Sequence, residues 1–296
     1  AVGIDVNGHE NIRYRNDDVR IMTFVVATFY HFFDFPDYAE KRAPLLALFN
    51  KHHIKGSLLI AGEGFNGTIS GAREDVDAVL AYLKKEIARG SFEHKESLST
   101  TQPFKRAKVR LKKETMSLGE HAPMEKVGRY VEPKDWNALI ADPETVVLDA
   151  RNWYETHMGS FERALVPGTQ NFRQLPAFIR TNLADAKHKK IATFCTGGIR
   201  CEKLTAWMRA QGFENVCHLK GGILKYLEEI PEHESRWKGE CYVFDERIAV
   251  GHGVTPSATA SICNACGNAL TEADRKHSLY IENISCPHCE RTGRQS

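Results

Sequence analysis

No apolar run in the 296-residue chain approaches the roughly 18 residues that a membrane-spanning helix requires. The opening stretch AVGIDVNGHENIRYRNDDVR lacks the apolar core of a secretory signal, so residues 1–21 read as an irregular leader. Net charge is nearly absent: 40 Lys and Arg against 38 Asp and Glu leave +2, so affinity for a polyanion has to reside in a local patch. There is no internal repeat and no low-complexity tract, which sets solenoids and disordered tails aside. Nucleotide, flavin and non-haem iron motifs are also missing, and the adjacent His52 and His53 would point in different directions on a helix. Eight cysteines without a secretory leader suggest a reducing, cytoplasmic setting, where thiols are catalytic or metal-bound more often than paired.

The length suits two or three domains. From Met22 to about residue 120, strand and helix patterns follow one another as βαββαβ, the order of a ferredoxin-like (acylphosphatase-like) sandwich. Within this segment GEGFNG, residues 62–67, fits the G-x-G-x-x-G template, but the β-branched TISG that follows predicts a hairpin instead of the helix a dinucleotide loop needs. In PFKRAKVRLKKE, Ala107, Val109 and Leu111 alternate with Arg106, Lys108, Arg110 and Lys112, which predicts a strand with one basic face. With Lys105 and Lys113 at its ends, that face is either a solvated edge or a track for RNA phosphates.

From residue 127 to 235, short apolar strands alternate with helices, the pattern of a parallel α/β sheet. The strand KKIATFC runs into FCTGGIRCEK, so Cys195 stands where a strand ends and helix amides converge. Arg200 adds positive charge and Thr196, Gly197, Gly198 and Ile199 complete the loop, a setting that lowers a thiol pKa and makes a nucleophile. A tyrosine-phosphatase loop carries its arginine six residues after the cysteine. Here that position is Cys201, so the smaller cradle suits a single sulfur or a small group better than a phosphate. Cys201 is placed either to resolve an oxidised Cys195 or to pack under the loop, and Lys203 either supports the cradle or is solvated. Cys217 and Cys241 lie in strand-like runs and read as packed thiols, the second within ECYVFDERIAV, a predicted strand.

Residues 236–296 carry Cys263 and Cys266, then, after nineteen residues, Cys286 and Cys289. Two C-x-x-C pairs at this spacing predict a structural four-thiolate zinc site, complete without His277 or His288.

DARNWYETHMGSFERALVPGTQN resembles the rhodanese signature at Asp149, Arg151, Glu155, Gly159, Pro167, Gly168 and Asn171, and CTGGIRCEK resembles the rhodanese active loop with Cys195 as its persulfide-forming cysteine. With GEGFNG before it, and YVFDER and the cysteine pairs after it, the chain from about 22 to 289 resembles the rhodanese-containing tRNA uridine hydroxylases. That resemblance implies an oxidoreductase using molecular oxygen to convert a wobble uridine in the tRNA anticodon loop to 5-hydroxyuridine, with no nucleotide or flavin cofactor. Cys195, Arg200 and Cys201 would carry the chemistry. The residues alone leave two other readings open: a sulfurtransferase using a Cys195 persulfide, and an inactive module serving as an RNA or protein adaptor.

Overall fold

The computed structural model describes residues 23–292, so the leader expected at 1–21 lies outside the described residues. Strand β1 (Phe24–Phe32) alternates Val25, Ala27 and Phe29 into a core, and α1 (Tyr38–Lys51) lays Leu45 and Phe49 over it. Strands β2 (Lys55–Ala61) and β3 (Gly64–Gly71) form the hairpin expected at GEGFNG, turning at Gly62 and Glu63. Helix α2 (Arg73–Tyr82) ends in a π turn, Leu83–Ile87, and β4 (His94–Ser99) completes the βαββαβ order. The basic strand β5 (Ala107–Leu111) adds to the far edge, parallel to β2, giving the sheet order β4-β1-β3-β2-β5.

The second domain comprises β6 (Arg129–Val131), α3 (Pro133–Ala141), β7 (Thr145–Asp149), α4 (Trp153–Thr156), β8 (Gly159–Phe161), α5 (Leu175–Asn182), β9 (Lys190–Phe194), α6 (Ile199–Ala210), β10 (Asn215–Leu219) and α7 (Gly222–Glu229). Its central sheet is parallel, in the order β6-β10-β9-β7. Apolar layers cover both faces: Trp136, Phe194 and Tyr226 pack on one, and Leu148, Leu204 and Trp207 on the other. Crossover connections place the C-terminal ends of β7 and β9 together, where open α/β sheets present their loops.

The tail begins inside this second core. Strand β11 (Trp237–Gly239) pairs antiparallel with β8, and Trp237, Cys241, Val243 and Val250 join the apolar layer around Phe161. The single strand expected over ECYVFDERIAV is instead a hairpin of β12 (Cys241–Tyr242) and β13 (Ala249–Val250). Arg247 breaks the run: its Nε and one NH2 fork onto the Asp245 carboxylate, and its NH1 donates to Ser97 Oγ of β4 at 2.6 Å. Beyond lie β14 (Ser261–Ile262), β15 (Ala269–Leu270) and α8 (Glu272–Arg275), and Leu270 packs with the four cysteines. No helix among the described residues is long and apolar enough to cross a membrane.

Lys203 is neither solvated nor part of the cradle around Cys195. It is 2% exposed, and its ammonium donates to both Glu63 oxygens at 2.9 and 2.8 Å, to Glu114 at 2.7 Å and to the Met116 carbonyl at 2.9 Å. Glu63 is the turn residue of GEGFNG and also accepts from Thr115, so one amine joins the first hairpin, the interdomain linker and α6. Removing one partner of a buried ion cluster leaves the others uncompensated. Lys203→Met is therefore expected to cost about 3 kcal/mol, seen as a lower urea midpoint and earlier proteolysis of the linker; an unchanged midpoint would show that the clasp contributes nothing.

Candidate active site

Strand β9 delivers Cys195 to the end of the parallel sheet and Gly198 starts α6. The Gly198 amide donates to Cys195 Sγ at 3.2 Å, and the loop carbonyls of Cys195 and Thr196 accept from Ile223 and Leu224 at the start of α7, at 2.9 and 3.1 Å. This approach requires glycine at 222: φ there is +66°, and a Cβ would stand 2.5 Å from the Cys195 carbonyl oxygen and 2.6 Å from that of Thr196. Burial pushes the Cys195 thiol up, but a hydrogen bond from Cys201, the Arg200 charge and the amides of Cys201 and Gly198 outweigh it and hold the thiol well below its usual range. Cys201, buried beside it, is pushed up by burial and by the hydrogen bond to its neighbour, so one thiolate and one thiol share the site.

Arg200 does not point at open space. It is 4% exposed and forks onto the buried Glu155 carboxylate at 2.5 and 2.6 Å, while Thr196 Oγ1 donates to Glu155 Oε1 at 3.2 Å. Arg200 therefore acts on Cys195 from within the buried layer at the loop, and Glu155 holds it there. Glu155 is fixed in turn by the capping box of α4, in which its side chain accepts from the Asn152 amide.

The space above the loop lies between the two domains. A cavity of about 1020 Å³ runs from the β1 and β4 edge of the first sheet to Gly197, Ile199 and Glu202 of the active loop and α6. Tyr30 donates to Glu202 at 2.7 Å, Tyr130 bonds the same carboxyl, and desolvation raises the Glu202 pKa. Lys95 Nζ donates to the Gly197 carbonyl at 3.2 Å, and desolvation lowers its pKa to about 8 against the attraction of Cys195. Cys195 itself is 0% exposed. The cavity thus reaches the rim of the loop, and the sulfur lies beneath it.

The predicted site residues fall into three groups. Cys195, Thr196, Gly197, Gly198, Ile199, Arg200 and Cys201 form one loop, whereas Lys203 faces away from it. Lys105, Arg106, Lys108, Arg110, Lys112 and Lys113 lie along β5 and its ends, at the sheet edge opposite β4 and its cavity. There Arg106, Lys108 and Arg110 line a shallow groove of about 350 Å³ with Arg42. Cys217 and Cys241 are buried thiols, as expected. The wall residues Tyr30, Lys95 and Glu202 carry no local sequence signal, since only the domain contact brings them to the loop.

In the tail, the sulfurs of Cys263 and Cys289 are 3.9 Å apart, those of Cys266 and Cys286 3.6 Å, and those of Cys286 and Cys289 3.7 Å. These are the edges of a tetrahedron around an ion with metal–sulfur bonds of about 2.3 Å, and they are far longer than a disulfide bond. Asn268 Nδ2 and the amides of Cys286 and His288 donate to sulfurs of the group. The four cysteines could therefore hold a metal ion.

This is the loop and fold of a rhodanese-like domain joined to an acylphosphatase-like one. The chain matches the UPF0176 acylphosphatase-like domain over residues 24–115 and the rhodanese-like domain over residues 132–229. Among solved structures, it is similar to a rhodanese-like domain from Anabaena sp., at 19% identity over 37% of this chain and 78% of the other, with a TM-score of 0.32. It is also similar to a rhodanese-related protein from Thermoplasma volcanium (24%, 34% and 92%, 0.28) and to an acylphosphatase from Coxiella burnetii (8%, 30% and 93%, 0.24).

If the Cys201 thiol donates to the Cys195 thiolate, Cys201→Ala should raise the Cys195 pKa. The thiolate absorbance titration, taken as the difference from Cys195→Ala, should then move to higher pH, while Cys201→Ser, which retains a donor, moves it less. No movement in Cys201→Ala would make Cys201 a packing residue only.

Proposed function

We propose that this protein hydroxylates carbon 5 of the wobble uridine of tRNA with molecular oxygen, using Cys195 as nucleophile. The observation that carries the reading is the interdomain cavity ending on the active loop, large enough for a nucleotide and walled by Tyr30, Tyr130 and hydrogen-bonding side chains. An anticodon loop presents unpaired bases that can be splayed into such a space at modest cost. Once the base displaces the Lys95 contact that covers the loop, Cys195 adds to carbon 6 of the uracil, which makes carbon 5 electron-rich towards oxygen, and it leaves again as the product forms. The overall balance is uridine, oxygen and two thiols giving 5-hydroxyuridine, water and a disulfide. The neighbouring Cys195 and Cys201 are the two thiols, and an external dithiol restores them.

The basic face of β5 binds the tRNA backbone away from the anticodon, since it lies on the sheet edge opposite the cavity. The four tail thiolates hold zinc, a closed shell that supports folding and leaves no position for chemistry. Sulfur transfer through a Cys195 persulfide is the second reading, favoured by the amide cradle around one sulfur.

Unmodified tRNA incubated with the protein should gain one oxygen on the wobble uridine, read by nucleoside mass spectrometry, only in air and only with Cys195 intact. Thiocyanate formation from thiosulfate and cyanide, without that gain from folded, tRNA-bound protein, would transfer the assignment to sulfur transfer. Replacing Arg106, Lys108, Arg110 and Lys112 with alanine should weaken tRNA binding and flatten its salt dependence by about 0.7–0.9 per lost phosphate contact; thiosulfate chemistry should be untouched. Unchanged affinity would remove β5 from the RNA interface.

A further inference from the structure

Away from the active loop, three ligating side chains meet where the tail docks on the rhodanese-like domain. His157 follows α4, Asp274 belongs to α8, and His288 lies between Cys286 and Cys289. His157 Nε2 is 2.7 Å from Asp274 Oδ2, His288 Nε2 is 2.9 Å from Asp274 Oδ1, and the two ring nitrogens are 3.1 Å apart. Asp274 is 6% exposed, and the His288 side chain 12%.

Hydrogen bonding accounts for only part of this triangle. A ring Nε2 carries either one proton or one lone pair, directed in the ring plane. If both nitrogens carry protons, each aimed at its own carboxylate oxygen, two donor nitrogens stand 3.1 Å apart with no acceptor between them; if one presents a lone pair, that lone pair lies against a carboxylate oxygen. One edge is unfavourable in either arrangement. A cation between the two ring nitrogens and the carboxylate takes a lone pair from each group and makes all three contacts favourable. Neighbouring ligands about 2.1 Å from an ion lie about 3.0–3.4 Å apart, so the nitrogen–nitrogen edge already fits and the other two need open by only a few tenths of an ångström.

A second observation concerns the carboxylate. Asp274 Oδ2 accepts from the Thr271 amide and hydroxyl at 2.7 and 2.8 Å, the capping box of α8, which fixes the carboxylate plane as partners outside a coordination shell do. Oδ1 takes no part in that cap and faces His288. The capping role therefore accounts for the Thr271 bonds to Oδ2 and leaves that oxygen's contact with His157 and the contact of Oδ1 with His288 unexplained.

We propose that His157, Asp274 and His288 form a second metal site, separate from the four cysteines, that takes a divalent first-row transition ion of the zinc type. Two imidazoles and a carboxylate suit that class, and the partly exposed side of His157 leaves room for a water ligand. None of the three residues lines the cavity at the active loop, so the ion is architectural. One ligand comes from the rhodanese-like domain and two from the tail, so binding the ion pins the two together, and its affinity contributes directly to their docking.

The test uses the full chain and Zn2+. Elemental analysis after exhaustive dialysis should find two zinc ions per chain in the wild type and one in His157→Gln, which leaves all four thiolates in place. Calorimetric titration of Zn2+ into protein carrying only its thiolate-bound ion should show one further equivalent. That equivalent should be absent in His157→Gln and weakened at least tenfold in Asp274→Asn, which retains an oxygen for Thr271. With Co2+, the second equivalent should give weak ligand-field bands without thiolate charge transfer. If His157→Gln does not fold, Asp274→Asn and the wild-type Co2+ spectrum decide. A wild-type chain that takes up no ion free of thiolate charge transfer, or a second equivalent that survives in His157→Gln, overturns the proposal.

Discussion

The buried contact between Glu155 and Arg200 is the interaction on which the active loop depends. Two fully desolvated charges persist only if each is completely bonded, and here the guanidinium fork occupies both carboxylate oxygens while Thr196 and the Asn152 amide take the remaining acceptor positions. The pair locks the first turn of α6 to α4 and so fixes the loop between them. It also sets the electrostatics. With its charge balanced by Glu155, Arg200 polarises the sulfur without attracting a bulk anion into its place, and the remaining stabilisation of the thiolate comes from Cys201 and main-chain amides. Replacing either charged partner would leave a bare charge where water cannot reach it.

The same logic of shared charges joins the domains. Lys203 lies one turn along α6 from the loop and gathers Glu63 and Glu114 from the first domain and the linker, while Arg247 of the tail hairpin reaches Ser97 of β4. Helix α6 therefore carries contacts of the Cys195 loop at its start and an interdomain clasp along its side. Glu202, between them in sequence, faces the cavity and holds Tyr30. Successive residues of one helix point to successive surroundings, and this helix uses three of them: the loop's underside, the cavity and the clasp.

Those directions explain which parts were legible in the sequence. The strand, cysteine, glycine and helix order around Cys195 is set by neighbours within ten residues, and so are the GEGFNG hairpin and the cysteine knuckles; local pattern was enough for all three. The role of Lys203 is not legible, because its partner Glu63 lies 140 residues away and nothing local distinguishes a buried helix lysine from a solvated one. Arg200 stands near Cys195 in the local pattern, but its neutralising partner lies 45 residues upstream. ECYVFDERIAV has the composition of a strand throughout, yet the Arg247 fork on Asp245 closes a turn inside it, because a charge-assisted contact outweighs the modest β-propensity of the residues between. In the sequence His288 belongs only to the four-cysteine pattern, since its contact with His157 spans 131 positions.

The position of the sulfur bears on what the domains accomplish together. The amides, Arg200 and Cys201 of the rhodanese-like domain hold the Cys195 thiol well below its usual range. They do not by themselves place it under cover. The roof over the loop includes Lys95, which bonds the Gly197 carbonyl, and Tyr30, whose hydroxyl stands 3.0 Å from where a Cβ on Gly198 would be. Both belong to the acylphosphatase-like domain. A thiolate open to solvent is exposed to oxidation, whereas one closed over by an amine and a phenol from another domain is shielded and has its charge partly balanced. The surroundings of Cys195 are thus a property of the two domains in contact, and a rhodanese-like domain alone would carry the same loop with a differently solvated sulfur.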